Sequence, residues 1–339
     1  MKLIDVGKIR VTPFEFDSIL EVRIEKELNE HSTLYVCGTV KDEKQFSPVI
    51  DNTEDVKIKC ENDGLVYFIG VLQNVKVICM NAVYQLELYA ISNTILLDTV
   101  KHKRSFQDNT QKYQSIVETI IANNSGSVTY NASTMTVENI ILQYNETDWE
   151  FAKRLASHTN DVLIPIINDT PDFHFGVREK GNAKIESKDY SISRDFKTIR
   201  NFDALSSIEE NKKANPLLLT AEDVTIYNVE TDVFVCDIGE KINLNGIDLY
   251  VCQISLSFIN SALTIMYKLC TKNAVSSPKL YNPAITGLVI EGKVIEVKND
   301  TLKLRLDNDK NRGVEQDTEE AHFFNMPQVT AWKIIQDGM

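Results

Sequence analysis

An apolar residue at every second position, in short runs separated by turns, governs the first hundred residues of this chain. In residues 19–28, ILEVRIEKEL, Leu20, Val22 and Ile24 alternate with Glu21, Arg23 and Glu25. In LYVCGTV, Leu34, Val36 and Val40 share one face. A period of two matches the strand, whose successive side chains point to opposite sides of a sheet. Further runs follow at VKIKC (56–60), LVYFIGVLQNVKV (65–77) and YQLELYAIS (84–92). Asn-Asp-Gly at 62–64 stands between two of them, and Asn and Gly tolerate the positive φ that a tight hairpin needs. Short strands closed by frequent turns predict a small barrel or sandwich.

Near residue 101 the period changes. NTQKYQSIVETIIANN places Tyr113, Ile116, Val117, Ile120 and Ile121 on one helical face, with Asn109 or Thr110 as the expected cap. TMTVENIILQY reads as a strand leading into a second helix, and DVLIPII and FHFGV read as strands after it. From about residue 188 alternation returns: KINL (241–244), Asn245-Gly246, IDLYVCQISLSFI (247–259) and LTIMYKLC (263–270) form a meander. Residues 56–92 and 241–270 share an order, in which a short strand, a Gly-containing turn, a long strand and a closing strand follow one another. That order predicts two copies of one β-barrel module. SSPKLYNPA (276–284) is a proline-bearing linker, after which TGLVIEGKVIEVKNDTLKLRLD predicts a hairpin turning at Asn299-Asp300. QVTAWKIIQDGM at the end reads as a strand approaching further chain. The expected organisation is a first β module over 1–100, an α/β insert over 101–177, a second β module over 178–278, and a linker with all or part of an OB-type β domain over 279–339. The fold class is mainly β with an α/β insert.

The stretch LQYNETDWEFAKRLASH (142–158) concentrates three carboxylates, Glu146, Asp148 and Glu150, beside Trp149. Thr147 followed three residues later by Glu150 spells a capping box, in which hydroxyl and carboxylate exchange bonds with each other's amides. Asp148 and Glu150 then occupy the first turn, and Lys153, Arg154 and His158 lie toward the end favoured for cations. Trp149, Ala152 and Ala156 share a face flanked by Phe151 and Leu155. Each charge thus has a structural reason, and a catalytic carboxylate pair is not expected.

Asp307, Asp309 and Asn311 imitate the start of a calcium loop, but Arg312 holds the turn position and Thr318 the twelfth, so a solvated loop is expected. The five histidines are scattered, and neither a phosphate-cradling Gly-rich loop nor a G-x-S-x-G elbow occurs. KHKR (101–104) is expected to be a solvated turn. The six cysteines form no C-x-x-C pair and sit mostly in alternating runs, as buried thiols would. A net charge of −13 argues against a duplex nucleic-acid partner. No secretory signal and no membrane-spanning stretch is expected, and only two tryptophans are present to serve a carbohydrate-binding surface.

Residues 95–160 resemble the baseplate hub proteins of contractile phage tails and their relatives, the VgrG spike proteins of type VI secretion and the late-control D proteins of tailed phages. The family pattern is a leucine-rich strand end, an arginine, F-Q, a helix, then Q-Y-x-E-T-D-x-x-F-x-x-R-L. Here it falls on Leu96, Leu97, Arg104, Phe106, Gln107, Gln143, Tyr144, Glu146, Thr147, Asp148, Phe151, Arg154 and Leu155. The chain departs at RLASHTND, where members often read R-L-A-E-E-x-G. The resemblance implies a structural protein without catalytic residues, metal or cofactor, made in the bacterial cytoplasm and built into a phage tail, tail-like bacteriocin or injection machine. It implies a homotrimer between a sixfold tail tube ring and a threefold spike or needle protein, with baseplate wedge proteins around it. The alternative it raises is a hub-associated cell-wall or glycan hydrolase, which would need a free carboxylate pair in a cleft.

Overall fold

The computed structural model describes residues 2–3, 8–42, 57–62, 64–108, 110–122, 124–132, 134–137, 139–186, 189–194, 222–259, 262–277, 279–298, 301–306 and 323–325. The chain opens with strands β1 (Lys2–Leu3), β2 (Ile9–Thr12), β3 (Ser18–Glu27), β4 (Thr33–Val40), β5 (Lys57–Asn62), β6 (Leu65–Met80) and β7 (Val83–Ser92). A mixed segment follows: β8 (His102–Phe106), helix α1 (Tyr113–Ala122), β9 (Val128–Tyr130), β10 (Ile141–Glu146), helix α2 (Asp148–His158), β11 (Leu163–Pro165) and β12 (Phe173–Phe175). Then come β13 (Arg178–Ile185), β14 (Tyr190–Arg194), β15 (Thr225–Thr231), β16 (Val233–Phe234), β17 (Glu240–Leu244), β18 (Ile247–Ile259), β19 (Ala262–Cys270) and a one-turn helix α3 (Lys272–Val275). β20 (Gly292–Lys298), β21 (Thr301–Leu306) and β22 (Phe323–Asn325) form a separate three-stranded antiparallel sheet. The chain is mainly β, with helices α1 and α2 confined to the middle segment.

The repeated order of strands is a real duplication of topology. The first set lies in the spatial order β3-β4-β7-β6-β5-β2, and the second in the order β14-β15-β19-β18 with β17 and β13 beyond it. Even the irregularities coincide. β6 carries a bulge between Leu72 and Asn74, and β18 carries one between Val251 and Gln253, each seven residues before its hairpin. One difference stands out: β2 pairs with β5 antiparallel, whereas β13 pairs with β17 parallel.

The two sets are joined edge to edge. β18 pairs antiparallel with β3, from Gln253↔Glu27 to Ile259↔Glu21, and fuses both sets into one twelve-stranded sheet. Among the described residues this ladder does not close on itself. Val22, Ile24, Leu256 and Phe258 line the junction with exposures of 5% or less, in one hydrophobic core that runs through both sets. Each such side chain contributes on the order of 1.5–3 kcal/mol by leaving water.

Alternation misplaces two residues of β3. A bulge between Ile19 and Glu21 turns Leu20 outward, where it is exposed. At the other end Lys26 takes a core-facing position and is 4% exposed, its ammonium held by Asp237 at 2.9 Å. β6 also runs past Val77 to Met80, turning at Asn81 and Ala82, both with positive φ.

The Asn245-Gly246 hairpin forms as its sequence demands, with φ of 49° and 93° and Leu244 opposite Ile247. A Cβ at Gly246 would meet no atom, so space is not what requires glycine here. The left-handed backbone is. Gly246→Ala is expected to cost about 1–2 kcal/mol from that conformation alone, measurable as a lower urea midpoint with an unchanged slope.

Candidate functional site: the junction built on helix α2

β8 and β10 pair antiparallel, and Gln143 lies directly opposite Arg104. At Asn145 the φ is 54° and the register shifts between Tyr144 and Glu146. This bulge breaks strict alternation, so that Gln143 and Glu146, three residues apart, are both buried. Thr147 then caps α2. Its hydroxyl accepts from the Glu150 amide at 3.1 Å, and its own amide donates to Glu150 Oε2 at 3.0 Å. Both arms of the capping box are present. The Thr147 hydroxyl also donates to Asp98, at the end of the 3₁₀ turn Asn93–Asp98.

The spacing rule for α2 accounts for Glu150 but not for Asp148. Asp148 is 2% exposed and acts as a buried ion. Arg104 Nη1 donates to its Oδ1 at 2.6 Å, Gln143 Nε2 donates to the same oxygen at 2.9 Å, and Asn124 Nδ2 donates to Oδ2 at 3.3 Å. Gln143, fully buried, accepts from Arg104 through its carbonyl at 3.0 Å and also donates to the Glu146 and Thr147 carbonyls. KHKR is therefore no solvated turn: His102, Lys103 and Arg104 all belong to β8, and Arg104 is buried there with its charge balanced by Asp148.

Arg154 also departs from the dipole account. It reaches back toward the helix start, where Nε and Nη2 clamp the two Glu146 oxygens at 2.7 Å each and Nη2 donates to the Leu142 carbonyl at 2.6 Å. A two-pronged guanidinium–carboxylate pair is far stronger than attraction to a helix end. Lys153 leaves the helix altogether, donating to Glu30 Oε1 at 2.6 Å. His158 is not a cation at the helix end, because burial, helped by Lys279 and Arg154, pushes its pKa down to about 4.

The apolar residues of the signature form the second core. Phe106, Phe151 and Leu155 pack with Leu97, Trp149, Ile116, Ile120 and Phe173. Phe106 and Phe151 stack with centroids 5.7 Å apart. Gln107, also buried, donates to Ser105 Oγ, and Tyr144 lies half-buried with Lys103 4.9 Å from its ring. Leu96 is half-buried. Helix α1 begins at Tyr113, and Thr110 instead belongs to a turn on Asp108, whose Oδ1 accepts from its amide and hydroxyl. Asn109 lies outside the described residues.

What no local pattern indicates is how α2 joins other parts. The β3–β4 turn meets β11, just beyond α2, through Asn29, whose amide donates to the Leu163 carbonyl and whose Oδ1 accepts from the Leu163 amide, both at 2.8 Å. The His31 ring packs at a tilt of 36° against Trp149, with centroids 4.7 Å apart. On the other side the linker docks on the helix and on β10: the Leu280 amide donates to Ser157 Oγ of α2 and Asn282 Nδ2 donates to the Tyr144 carbonyl of β10, both at 2.8 Å. Helix α2 thus ties the first β set, the middle segment and the linker together. Asn29, Glu30, His31, Asn124, Leu280 and Asn282 carry no sequence signal for this, since each lies far along the chain from its partner.

Among the described residues no group of three His, Cys, Asp or Glu side chains could hold a metal ion, and no helix is long and apolar enough to cross a membrane. All six cysteines are free; four are buried, Cys252 is intermediate, and Cys79 is exposed at the end of β6, beyond the part of that strand that β5 covers. Residues 307–322, with the calcium-like spacing, and 328–339 lie outside the described residues.

Burial also sets the pH response. Desolvation lowers His31 and His102 from their ordinary value of 6.5, and brings His158 and His174 to about 4. A histidine that is harder to protonate folded than unfolded takes stability away as pH falls below 6.5, until its folded pKa is reached. Asp161, raised by burial to about 6, acts in the opposite sense as pH falls from 6 toward 4. Four histidines outweigh one carboxylate. The thermal midpoint is expected to fall continuously from pH 6.5 to about 4; a midpoint that rises over this window would contradict the buried, neutral placement of the rings.

No protein-family model matches the chain, and no curated protein matches it. Solved structures do. The E. coli c3393 protein, a component of the type VI secretion system with structural similarity to the bacteriophage T4 tail proteins gp27 and gp5, superposes with a TM-score of 0.65 at 12% identity, over 93% of this chain and 92% of its own. The 43 kDa tail protein of prophage MuSo2 from Shewanella oneidensis matches with a TM-score of 0.59 at 9% identity, over 80% of this chain and 98% of its own. A tail protein from Neisseria meningitidis gives 0.58 at 11% identity, over 80% and 98%. The chain thus shares the fold of these tail and secretion-system structures, and in it two β sets of matching strand order are fused into one sheet beside a capped helix on a buried ion network.

Proposed function

We propose that this chain is a structural baseplate hub of a contractile phage tail, a tail-like bacteriocin or a related injection machine. In this reading it is a homotrimer that joins a sixfold tail tube ring to a threefold spike or needle protein, with wedge proteins packed around it. The observation that supports it best is the duplicated strand order within a single sheet. Two equivalent modules per chain, repeated around a threefold axis, present a sixfold arrangement to a tube and a threefold one to a spike. The shared fold with a type VI secretion component over nearly the whole chain adds to this. Residues 1–100 and 178–278 are then the paired modules, 101–177 the insert that braces them, and 279–339 the spike-proximal domain of OB type. The signature from Phe106 to Leu155 serves as the brace.

A hydrolase reading would draw on Glu146, Asp148 and Glu150, and each is already engaged, by Arg154, Arg104 and the Thr147 amide. The test is a mass measurement of the purified chain together with electron microscopy of particles from cells with and without it. A trimer, and particles that lack an assembled baseplate centre when the chain is deleted, are expected. A stable monomer at all concentrations, absent from any particle, would overturn the reading.

A further inference from the structure

The bulge that both β sets share carries a pair of thiols in only one of them. In β18 the extra residue is Cys252, between Val251 opposite Leu269 and Gln253 opposite Lys268, and Cys270 lies opposite Tyr250 on β19. Cys252 is half-buried and Cys270 is 2% exposed. The Cys252 Sγ lies 3.1 Å from the Lys268 carbonyl and in hydrogen-bond contact with the Cys270 thiol. In the first set the extra residue is Gln73, and Ile91 opposite Val71 stands where the second set has Cys270. A bulge of this shape therefore does not need cysteine, and two thiols brought together across it call for another reason.

We infer that Cys252 and Cys270 are a reversible dithiol–disulfide site, oxidised by low-molecular-weight disulfides such as oxidised glutathione. The Cys252 thiolate attacks one sulfur of the small disulfide; a mixed disulfide forms and one glutathione leaves as thiolate. Cys270 then gives up its proton and attacks the Cys252 Sγ, the second glutathione leaves, and the protein disulfide is closed. Two electrons pass from the protein dithiol to the small disulfide, and its two thiolates take up the two protons. A reducing dithiol reverses the step.

The surroundings set the order of attack. The Cys270 thiol donates to Cys252 and Lys268 adds a positive charge, so Cys252 ionises below the ordinary thiol range in spite of its burial and of Glu27 nearby. Cys270 is raised well above that range by the same bond, which holds its proton, and by burial. Cys60 and Cys236 are pushed up to about 12, chiefly by burial, as inert core thiols are. The more accessible sulfur of the pair is thus also the better nucleophile. Closing the bond would fasten β18 to β19 at the point where β18 begins to pair with β3. There the Leu28 amide donates to the Cys252 carbonyl at 3.3 Å, and Gln253 opposes Glu27.

The reduced wild-type chain, freed of reductant and still folded, is incubated with oxidised glutathione, alkylated and digested for mass spectrometry. Trypsin cuts after Lys241, Lys268 and Lys272, so the expected link joins residues 242–268 to residues 269–272, and dithiothreitol removes it. Cys79, exposed, is expected to carry a glutathione instead. Cys270→Ser is expected to stop the reaction at a glutathione on Cys252, and Cys252→Ser to leave Cys270 unmodified. The linked chain is expected to unfold at a higher urea concentration than the reduced one. Cys252 and Cys270 both left free, both carrying glutathione without a link, or either linked to another cysteine would overturn the site. The link is read on the wild-type chain, so the outcome does not depend on either variant folding.

Discussion

Arg104→Ala is expected to lower stability by about 3–5 kcal/mol, the cost of stranding a buried charge, and to show as a reduced urea midpoint. The carboxylate it abandons, Asp148, is 2% exposed and cannot recover hydration without opening the packing of α2 against β8 and β10. Gln143 and Asn124 would still donate to it, but neutral amides do not balance a desolvated charge. The double variant Arg104→Met with Asp148→Asn removes both charges while keeping an acceptor for Gln143. It is expected to recover more than half of the loss. A double variant no more stable than Arg104→Ala would show that lost packing, and not the stranded carboxylate, sets the cost.

Phe151→Ala is the second large effect, expected at about 3–5 kcal/mol. Its ring is fully buried, stacks on Phe106 at 5.7 Å and lies 5.1 Å from the Arg154 guanidinium. Truncation would leave a cavity under the clamp that holds Glu146. Met80→Ala, at a side chain 69% exposed, provides the contrast and is expected to change the isolated chain by no more than about 0.5 kcal/mol. A similar loss at both positions would contradict the placement of the second core.

The consequence of either core change reaches beyond the middle segment, because α2 holds the β3–β4 turn through His31 and Glu30 and the linker through Ser157. Loosening the helix is therefore expected to loosen the hold of the middle segment on the first β set and on the linker.

The hairpins and the second helix were legible in the chain because their causes are local. An apolar period of two allows only a strand to bury one face, Asn245-Gly246 allows the tight turn, and Thr147 with Glu150 satisfies amides of the same helix. Even the duplication showed in the order of short strand, turn and long strand. Local rules failed where the backbone bulges, at Leu20 and again at Asn145, because one extra residue exchanges the faces of everything beyond it.

Tertiary structure alone decided the role of the charges and the joining of the modules. Asp148 is an acceptable helix-start residue by its position, and only Arg104, 44 residues away, makes it a buried ion. Ser255 and Glu25 meet at the β18·β3 junction from 230 residues apart. The bonds that join strand edges come from the backbone, which is the same at every residue, so the sequence marks which segments are strands but not which edges meet. That choice is made by the core, where Val22, Ile24, Leu256 and Phe258 leave water together only in this pairing.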